Sequence, residues 1–244
     1  MKTRAKRVSD GWVLNGSKMW INNAPIADIF IIWAKDDEGR VRGFIVEKGT
    51  PGLRAVEQKH KASLRASATG EIYLEDVHVP PEAELPNTEG LKSALMCLTS
   101  ARYGIAWGAV GAAQAVFDEA LKYSRERIQF GRPIGSFQIT QQKLADMATK
   151  ITAAQMMAYH MGRLADAGKL KYWHVSMAKR HNVRVALEAA RVARSILGAN
   201  GISLEYQSIR HMCNMESVET YEGTYEIHTL IRGHVLTGFE AYRG

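Results

Sequence analysis

The chain has 244 residues and 46% of them are hydrophobic, so it can bury a core as one large domain or two small ones. Its apolar runs are short: "IADIFIIWA" contains Asp28 and ends before Lys35, and a transmembrane helix needs about 20 apolar residues, so no membrane span is expected. The net charge is +7 with dispersed basic residues, which favours a phosphate-rich small molecule over nucleic acid as partner.

Strands are predicted up to about residue 90. The stretch "GWVLNGSKMWINN" alternates around Asn15-Gly16, which predicts a hairpin. The runs "DIFIIWAK", "VRGFIVEK" and "GEIYLEDVHVP" predict further strands, separated by turns. No earlier strand is expected to pair with the hairpin, so the sheet would have free edges. This spacing predicts a partial antiparallel β-barrel or sandwich.

Helical periodicity begins after "PNTEG". Glycines and a proline divide the remaining sequence into four predicted helices, at 91–127, 138–168, 173–198 and 225–243. Short connections between them favour an antiparallel four-helix bundle. The predicted fold is therefore a multidomain α and β chain, with a partial middle β domain at 1–88 and an all-α bundle at 89–244.

Several short stretches are candidates for a site. In "RIQFGRPI", Arg127 and Gln129 could face a phosphate or a ring; alternatively this is a turn in which Phe130 plugs the core. "LGANGIS" is interpreted first as a helix C-cap and turn, and otherwise as a close backbone approach to a phosphate-bearing ligand. It lacks the strand–GxGxxG–helix arrangement of a Rossmann site. The two cysteines predict neither a disulfide framework nor a metal site, and the expected metal set is empty.

Two charged residues raise sharper questions. Arg102 lies in a predicted helix rich in Ala and Gly, where it either has a partner or ligand or extends to solvent. In "TYEGTYEIH", Thr224 as N-cap and Glu226 in the first turn explain the helix start. They do not explain Glu222, which precedes the cap.

The order of these stretches is more specific than any one of them. "RASATGEIYLEDVHVP", "ARYGIAWG", "RIQFG", "LGANGIS" and "YEGTYEIH" together resemble the acyl-CoA dehydrogenase family, and within it the glutaryl-CoA dehydrogenases. The resemblance covers essentially the whole chain. It implies FAD as cofactor, an acyl-CoA substrate, a homotetramer, and an electron-transfer flavoprotein as acceptor. The implied location is the cytoplasm in a bacterium or the mitochondrial matrix in a eukaryote, and no targeting segment is visible.

The resemblance also implies residue roles. Glu222 would be the general base that removes the α-proton of a bound acyl-CoA. The substrate would be bound by Arg102, Tyr103, Tyr221 and Gly223. The implied cofactor contacts are Trp20, Asn22, Arg127, Gln129, Phe130, Gln138, Gly198, Gly201, Thr224 and Glu226.

Three departures from the family pattern accompany it. Asn22 stands where the family usually has Thr or Ser, and Ala199 where it often has a second glycine. Family members are also longer at the N-terminus, so this chain is expected to be the C-terminal portion of such an enzyme and poorly active alone. The expected reaction is oxidation and decarboxylation of glutaryl-CoA to crotonyl-CoA. The alternatives are a non-decarboxylating acyl-CoA dehydrogenase and a non-catalytic oligomerisation fragment.

Overall fold

A computed structural model describes residues 1–88 and 90–241 of the chain. It divides into two compact units, residues 1–97 and 98–244, each with its own hydrophobic core. The predicted boundary between residues 88 and 89 stays a prediction. The fold class, a β segment followed by an all-α segment, is confirmed.

The first unit is a six-stranded mixed sheet in the order β4-β3-β1-β2-β6-β5. Its strands are β1 (Arg4–Val8), β2 (Gly11–Asn22), β3 (Ile29–Lys35), β4 (Val41–Glu47), β5 (Leu53–Glu57) and β6 (Thr69–Val79). Neighbouring strands pair antiparallel except β1 and β3, which pair in parallel. Alternation decides the buried face: Phe30, Ile32 and Ala34 of β3 are buried, while Ile29 and Ile31 are exposed.

The hairpin predicted around Asn15-Gly16 is wrong. β2 runs through both residues, and the actual hairpin joins β1 to β2, so the expectation of no preceding strand is also wrong. The Asn15 side chain instead bonds Asp76 of β6, and the register shifts between Leu14 and Gly16. A Cβ on Gly16 would stand 2.9 Å from the Thr3 Cα, so this glycine serves a bulge and a close strand approach.

The second unit contains five helices. They are α1 (Leu91–Glu126, which begins within the first unit), α2 (Gln138–Asp166), α3 (Tyr172–Ile196), α4 (Gln207–Thr220) and α5 (Tyr225–Thr237). A two-residue ladder, β7 (Ile128–Gln129) with β8 (Arg132–Pro133), lies between α1 and α2. Buried Asn182 of α3 donates to the carbonyls of Ala106 and Ala154, which ties α3 to α1 and α2.

Helix α4 was missed by the sequence prediction. Its N-terminus is capped from α1: the Glu119 carboxylate accepts from Gln207 N, Ser208 N and Ser208 Oγ. A cap supplied from 88 residues away leaves no local signal. The predicted last helix ends earlier than expected, at Thr237, and residues 242 and 243 of that prediction lie outside the described residues. In the described part of the chain, no helix has the length and apolar character needed to span a membrane.

Candidate active site

The turn between α4 and α5 contains several of the predicted site residues of the second unit. Thr224 is the N-cap of α5, as predicted, and its hydroxyl accepts from Ile227 N at 3.3 Å. Glu226 lies in the first turn, also as predicted, where hydrogen bonding lowers the pKa of its carboxyl. The cap accounts for where the helix begins, and it leaves residues 221–223 to be explained.

Glu222 and Gly223 both adopt left-handed backbone conformations. Their φ values are +54° and +95°, and a non-glycine residue at positive φ is uncommon and costs energy. A Cβ on Gly223 would lie 3.1 Å from His228 Nε2 and 3.3 Å from Arg102 Nη2. Glycine at 223 is therefore explained by its own conformation and by two neighbouring side chains.

Two cations hold the backbone of this turn. Arg102 Nε donates to the Glu222 carbonyl at 2.5 Å. Arg102 therefore has a hydrogen-bond partner within the chain, which was one of the two alternatives, the other being extension to solvent. Lys179 of α3, which is 1% exposed, donates to the carbonyls of Glu219 (3.1 Å), Tyr221 (3.0 Å) and Gly223 (2.8 Å). Sequence reasoning missed Lys179; the available signal was a lysine among the apolar positions of "VSMAKRHNVRVA".

The next feature of the turn is the Glu222 carboxylate itself. Its Oε2 atom is buried without a hydrogen-bond partner in the described structure. Burial raises the pKa of the Glu222 carboxyl above its usual range, while Arg102 and Lys179 lower it in part. A carboxylate that is poorly solvated and unpaired is a stronger base than one in water, and perturbed groups of this kind concentrate at functional sites.

The groups beside this turn are buried to different degrees. His228 is fully buried, its Nδ1 lies 3.0 Å from Ser176 Oγ, and burial together with Lys179 and Arg102 lowers its pKa to about 4. It is therefore neutral near pH 7. Tyr221 packs against the helical core, and burial, followed by the charge of Glu222, raises the pKa of its phenol. Tyr103 packs in a smaller cluster that contains Ala106 and Met161.

A second feature of the helical unit is a cleft of about 360 Å³ that brings together three of the predicted cofactor residues, Arg127, Gln129 and Gly198. Gly198 has φ +61° and open space where a Cβ would stand. Phe130 is 93% exposed at φ +51°, so the interpretation that it plugs the core is wrong. A cation, an amide and an approachable backbone suit a ligand that carries phosphate.

The remaining predicted cofactor residues have more local explanations. Gly201 is buried, and a Cβ there would lie 2.1 Å from the Arg194 carbonyl oxygen, so packing alone requires glycine. Gln138 is the exposed first residue of α2. In the first unit, Trp20 is 65% exposed at φ +62° in a register shift of β2, and the Asn22 amide oxygen accepts from Ser67 Oγ. Within the described residues, no three His, Cys, Asp or Glu side chains are grouped to hold a metal ion.

Comparison with known proteins gives matches along most of the chain. Residues 1–77 match the model of the acyl-CoA dehydrogenase middle domain, and residues 88–236 match that of the acyl-CoA dehydrogenase C-terminal domain. The "Probable short/branched chain specific acyl-CoA dehydrogenase" of Dictyostelium discoideum is 40% identical over 93% of this chain, which spans 56% of that relative's length.

Two solved structures are also similar over the full chain. A crystal structure of glutaryl-CoA dehydrogenase from Mycobacterium smegmatis has a TM-score of 0.98 and 51% identity, and this chain covers 62% of it. A second structure, of a glutaryl-CoA dehydrogenase from the same organism in complex with FADH2, has a TM-score of 0.98 and 45% identity, with 63% covered.

Proposed function

Because this chain belongs to the acyl-CoA dehydrogenase family, we propose that it carries the proton-abstracting base of an FAD-dependent dehydrogenase that acts on acyl-CoA thioesters. The observation that carries the proposal is the Oε2 atom of the Glu222 carboxylate, which is buried and unpaired on a strained turn beside two cations. The chain spans less than two thirds of the length of the relatives it matches, so the activity proposed is that of a whole protein of this type.

Glu222 acts as the general base. The α-hydrogen of a thioester is weakly acidic, and its removal requires a base that is close, desolvated and ionised. Burial supplies the desolvation, and Arg102 and Lys179 offset part of the resulting rise in the pKa of Glu222, which keeps the carboxylate available. The proton passes to the Glu222 carboxylate. Arg102, Tyr103, Tyr221 and Gly223 bind the substrate around it.

The cofactor is FAD, and the residues present fit it. Arg127 and Gln129 line one cleft with Gly198, and the exposed ring of Phe130 offers a flat apolar contact next to them in sequence. These residues would hold FAD, which would supply the acceptor for the hydride that leaves the β-carbon of the substrate. The full set proposed to hold it is Trp20, Asn22, Arg127, Gln129, Phe130, Gln138, Gly198, Gly201, Thr224 and Glu226.

Glutaryl-CoA is the proposed substrate. Loss of the α-proton and a β-hydride, then loss of the distal carboxylate as carbon dioxide and uptake of one proton at the carbon that carried it, yields crotonyl-CoA. Support comes from the two glutaryl-CoA dehydrogenase structures with a TM-score of 0.98. The second candidate is a non-decarboxylating acyl-CoA dehydrogenase, favoured by the short/branched chain relative at 40% identity. Release of carbon dioxide from glutaryl-CoA, measured with a carboxyl-labelled substrate, distinguishes the two.

The proposed assembly is a homotetramer that passes electrons to an electron-transfer flavoprotein. Several large apolar side chains of the helical unit are exposed and would be covered by partner subunits. They include Phe130, Ile139, Ile202 and Leu204.

A non-catalytic oligomerisation role is the third candidate function. An FAD absorbance spectrum at stoichiometric occupancy of the purified protein would contradict it.

The test of the base is Glu222→Gln. In the full-length protein with FAD, we expect the wild type to exchange the α-hydrogens of butyryl-CoA with deuterated water, and the variant to lose this exchange by at least about 10²-fold, because an amide is a far weaker base. Flavin content should be unchanged. The matched control is Glu216→Gln, at an exposed carboxylate paired with Arg191, which should exchange at the wild-type rate. Exchange at the wild-type rate in Glu222→Gln would exclude Glu222 as the base.

A further inference from the structure

Lys179 is a charged side chain that the proposed reaction does not yet use. It lies in the first half of α3 and is 1% exposed, among the largest fully buried side chains of the described residues. Burying an ammonium group is costly unless its donors are satisfied. All three of its donors are satisfied, and each is directed to a backbone carbonyl of the chain between Glu219 and Gly223.

The location of these carbonyls is informative. Glu219 is in the last turn of α4, where carbonyl groups have no helical partner and the helix dipole favours a positive charge. Tyr221 is the C-cap of α4, and Gly223 directly precedes the N-cap of α5. Lys179 therefore spans the whole connection between the two helices, with two contacts before Glu222 and one after it.

The turn needs such support. Glu222 is a non-glycine residue in a left-handed conformation, and this geometry persists only where the surroundings enforce it. Arg102 fixes the Glu222 carbonyl, and Lys179 fixes the carbonyls on either side. Neither cation is hydrogen-bonded to the carboxylate, whose Oε2 atom stays unpaired. The cations thus position the backbone while leaving the side chain free.

From this geometry we infer that Lys179 is a positioning residue for the base: its three carbonyl contacts set the direction in which the Glu222 carboxylate points. The inference rests on the proposed function of Glu222. The groups charged near Lys179 are Glu222, Arg102 and Glu219, and neutral His228 is close by. Burial lowers the pKa of Lys179 to about 8, so the ammonium form is present at neutral pH and makes all three contacts.

Lys179→Met tests the inference, since methionine is similar in size and donates nothing. In the protein without ligands, we expect amide hydrogen exchange in the segment 219–228 to rise at least tenfold. With FAD and butyryl-CoA, we expect the plateau rate of α-hydrogen exchange to fall by about 10²-fold, the typical result of misplacing a catalytic group by 1 Å. The dissociation constant of butyryl-CoA should change less than threefold.

The pH profile separates positioning from mere folding. Lys179 lowers the pKa of Glu222, so its removal should shift the acidic limb of the α-exchange profile to higher pH. Lys179→Arg keeps the positive charge and should return the limb, while its different geometry recovers the plateau only in part. The matched control is Lys150→Met in α2, an exposed lysine paired with Glu188, which should change neither readout.

The outcomes are distinguishable from those for the proposed function. Wild-type amide exchange in 219–228 together with a plateau rate within threefold of wild type in Lys179→Met would overturn the inference. Should this variant not fold, Lys179→Gln, which keeps two N–H donors, is expected to lie between it and wild type, and wild-type values for it would overturn the inference equally. Absence of α-exchange in the wild-type protein would defeat the proposed function and the catalytic part of this inference, and the amide measurement alone would then decide whether Lys179 holds the turn.

Discussion

The two units bury a carboxylate in opposite ways. In the sheet unit, Asp36 is 4% exposed and fully bonded: its oxygens accept from Arg40 Nε (2.9 Å), Arg42 Nε (2.7 Å) and the backbone N–H groups of Glu38 and Arg40. In the helical unit, Glu222 has two cations nearby, but they bond backbone carbonyls and leave its Oε2 atom unpaired. In each unit a carboxylate has two cationic side chains nearby, but within the described residues only the cations of the sheet unit form hydrogen bonds with the carboxylate.

The pKa values follow this contrast. Burial by itself would raise the pKa of Asp36, but hydrogen bonds from Arg42 and Arg40 outweigh burial and lower it to about 2. For Glu222 burial dominates, and the pKa is raised. Hydrogen bonds to a carboxylate favour its charged form and lower its pKa, whereas burial without them disfavours the charged form and raises the pKa. The comparison teaches that hydrogen-bond partners, and not the presence of nearby cations, decide whether the pKa of such a carboxyl is lowered or raised.

The largest expected effect tests this contrast directly with two nearly isosteric substitutions. We expect Asp36→Asn to lower the free energy of unfolding of the sheet unit by about 3 kcal/mol, because the buried oxygen that accepts from Arg40 and Arg42 loses its charge. Arg40 keeps Glu38 as a partner, and Arg42 keeps Glu84. Glu222→Gln should change that of the helical unit by no more than about 0.5 kcal/mol in the destabilising direction, because it removes a poorly solvated charge without breaking a pair. Amide exchange, followed separately for peptides of each unit under denaturant, measures both values.

A surface pair supplies the control for Asp36. Glu38 also contacts Arg40, at 2.9 Å, but its side chain is 68% exposed, so Glu38→Gln should cost less than about 1 kcal/mol. If Glu222→Gln destabilised its unit as strongly as Asp36→Asn destabilises the sheet, the contrast between the two carboxylates would be broken.

Acid should act on the two units in different pH ranges. The pKa of His228 falls from about 6.5 in the unfolded chain to about 4 in the folded one. The unfolded state therefore binds more protons in this interval, and the stability that neutral His228 provides is lost as the pH falls from 6.5 to 4, up to about 3 kcal/mol. Asp36 contributes stability above pH 3.8 that is lost only as the pH falls toward about 2.

The measurement is the denaturant midpoint of each unit, followed by peptide-resolved amide exchange between pH 4 and 7. The free energy of unfolding of the helical unit should decrease as the pH falls from 7 to 4. The contribution of Asp36 to the stability of the sheet unit should stay constant over this range. His228→Gln should flatten the pH dependence of the helical unit, whatever it does to the absolute stability, while His160→Gln at an exposed position of α2 should not. An unchanged slope in His228→Gln would assign the acid sensitivity to another group.

Much of this architecture could be predicted from the sequence because its signals are local. The periodicities of "DIFIIWAK" and of the α1 sequence, and the Thr224 cap, depend on neighbouring residues. The strand β1 was missed because "RAKRV" is strongly basic, and α4 because its cap comes from Glu119. The Asn15-Gly16 dipeptide misled because a glycine needed for a bulge looks like one needed for a turn.

The candidate site divides along the same line. Glu222 was predicted from resemblance, and its strained backbone, its unpaired oxygen and the three carbonyl contacts of Lys179 were not. The contacts of Lys179 join residues at least 40 positions apart, and the sequence does not show which distant residues lie close together in space. The sequence does not show how the two carboxylates differ. The arginines of Asp36 are close to it in the sequence, and the two cations beside Glu222 are far from it. Neither spacing shows whether a cation bonds the carboxylate or a backbone carbonyl.

The smallest expected effect concerns Thr224, a hydrogen-bonded side chain two residues after Glu222. The Thr224 hydroxyl accepts from Ile227 N at 3.3 Å and so satisfies one of the free N–H groups at the start of α5. Thr224→Ala should lower the free energy of unfolding of the helical unit by about 1 kcal/mol, and Thr224→Ser, which keeps the hydroxyl, should retain most of it. The measurement is thermal or denaturant unfolding of the three proteins, with amide exchange of α5 as the local readout. If Glu222→Gln leaves the stability unchanged, this result would mean that a stabilising polar group, Thr224, lies two residues from a carboxylate that contributes no stability. Equal stability of the Ala and Ser variants would instead show that the cap bond adds nothing, and that packing alone sets where α5 begins.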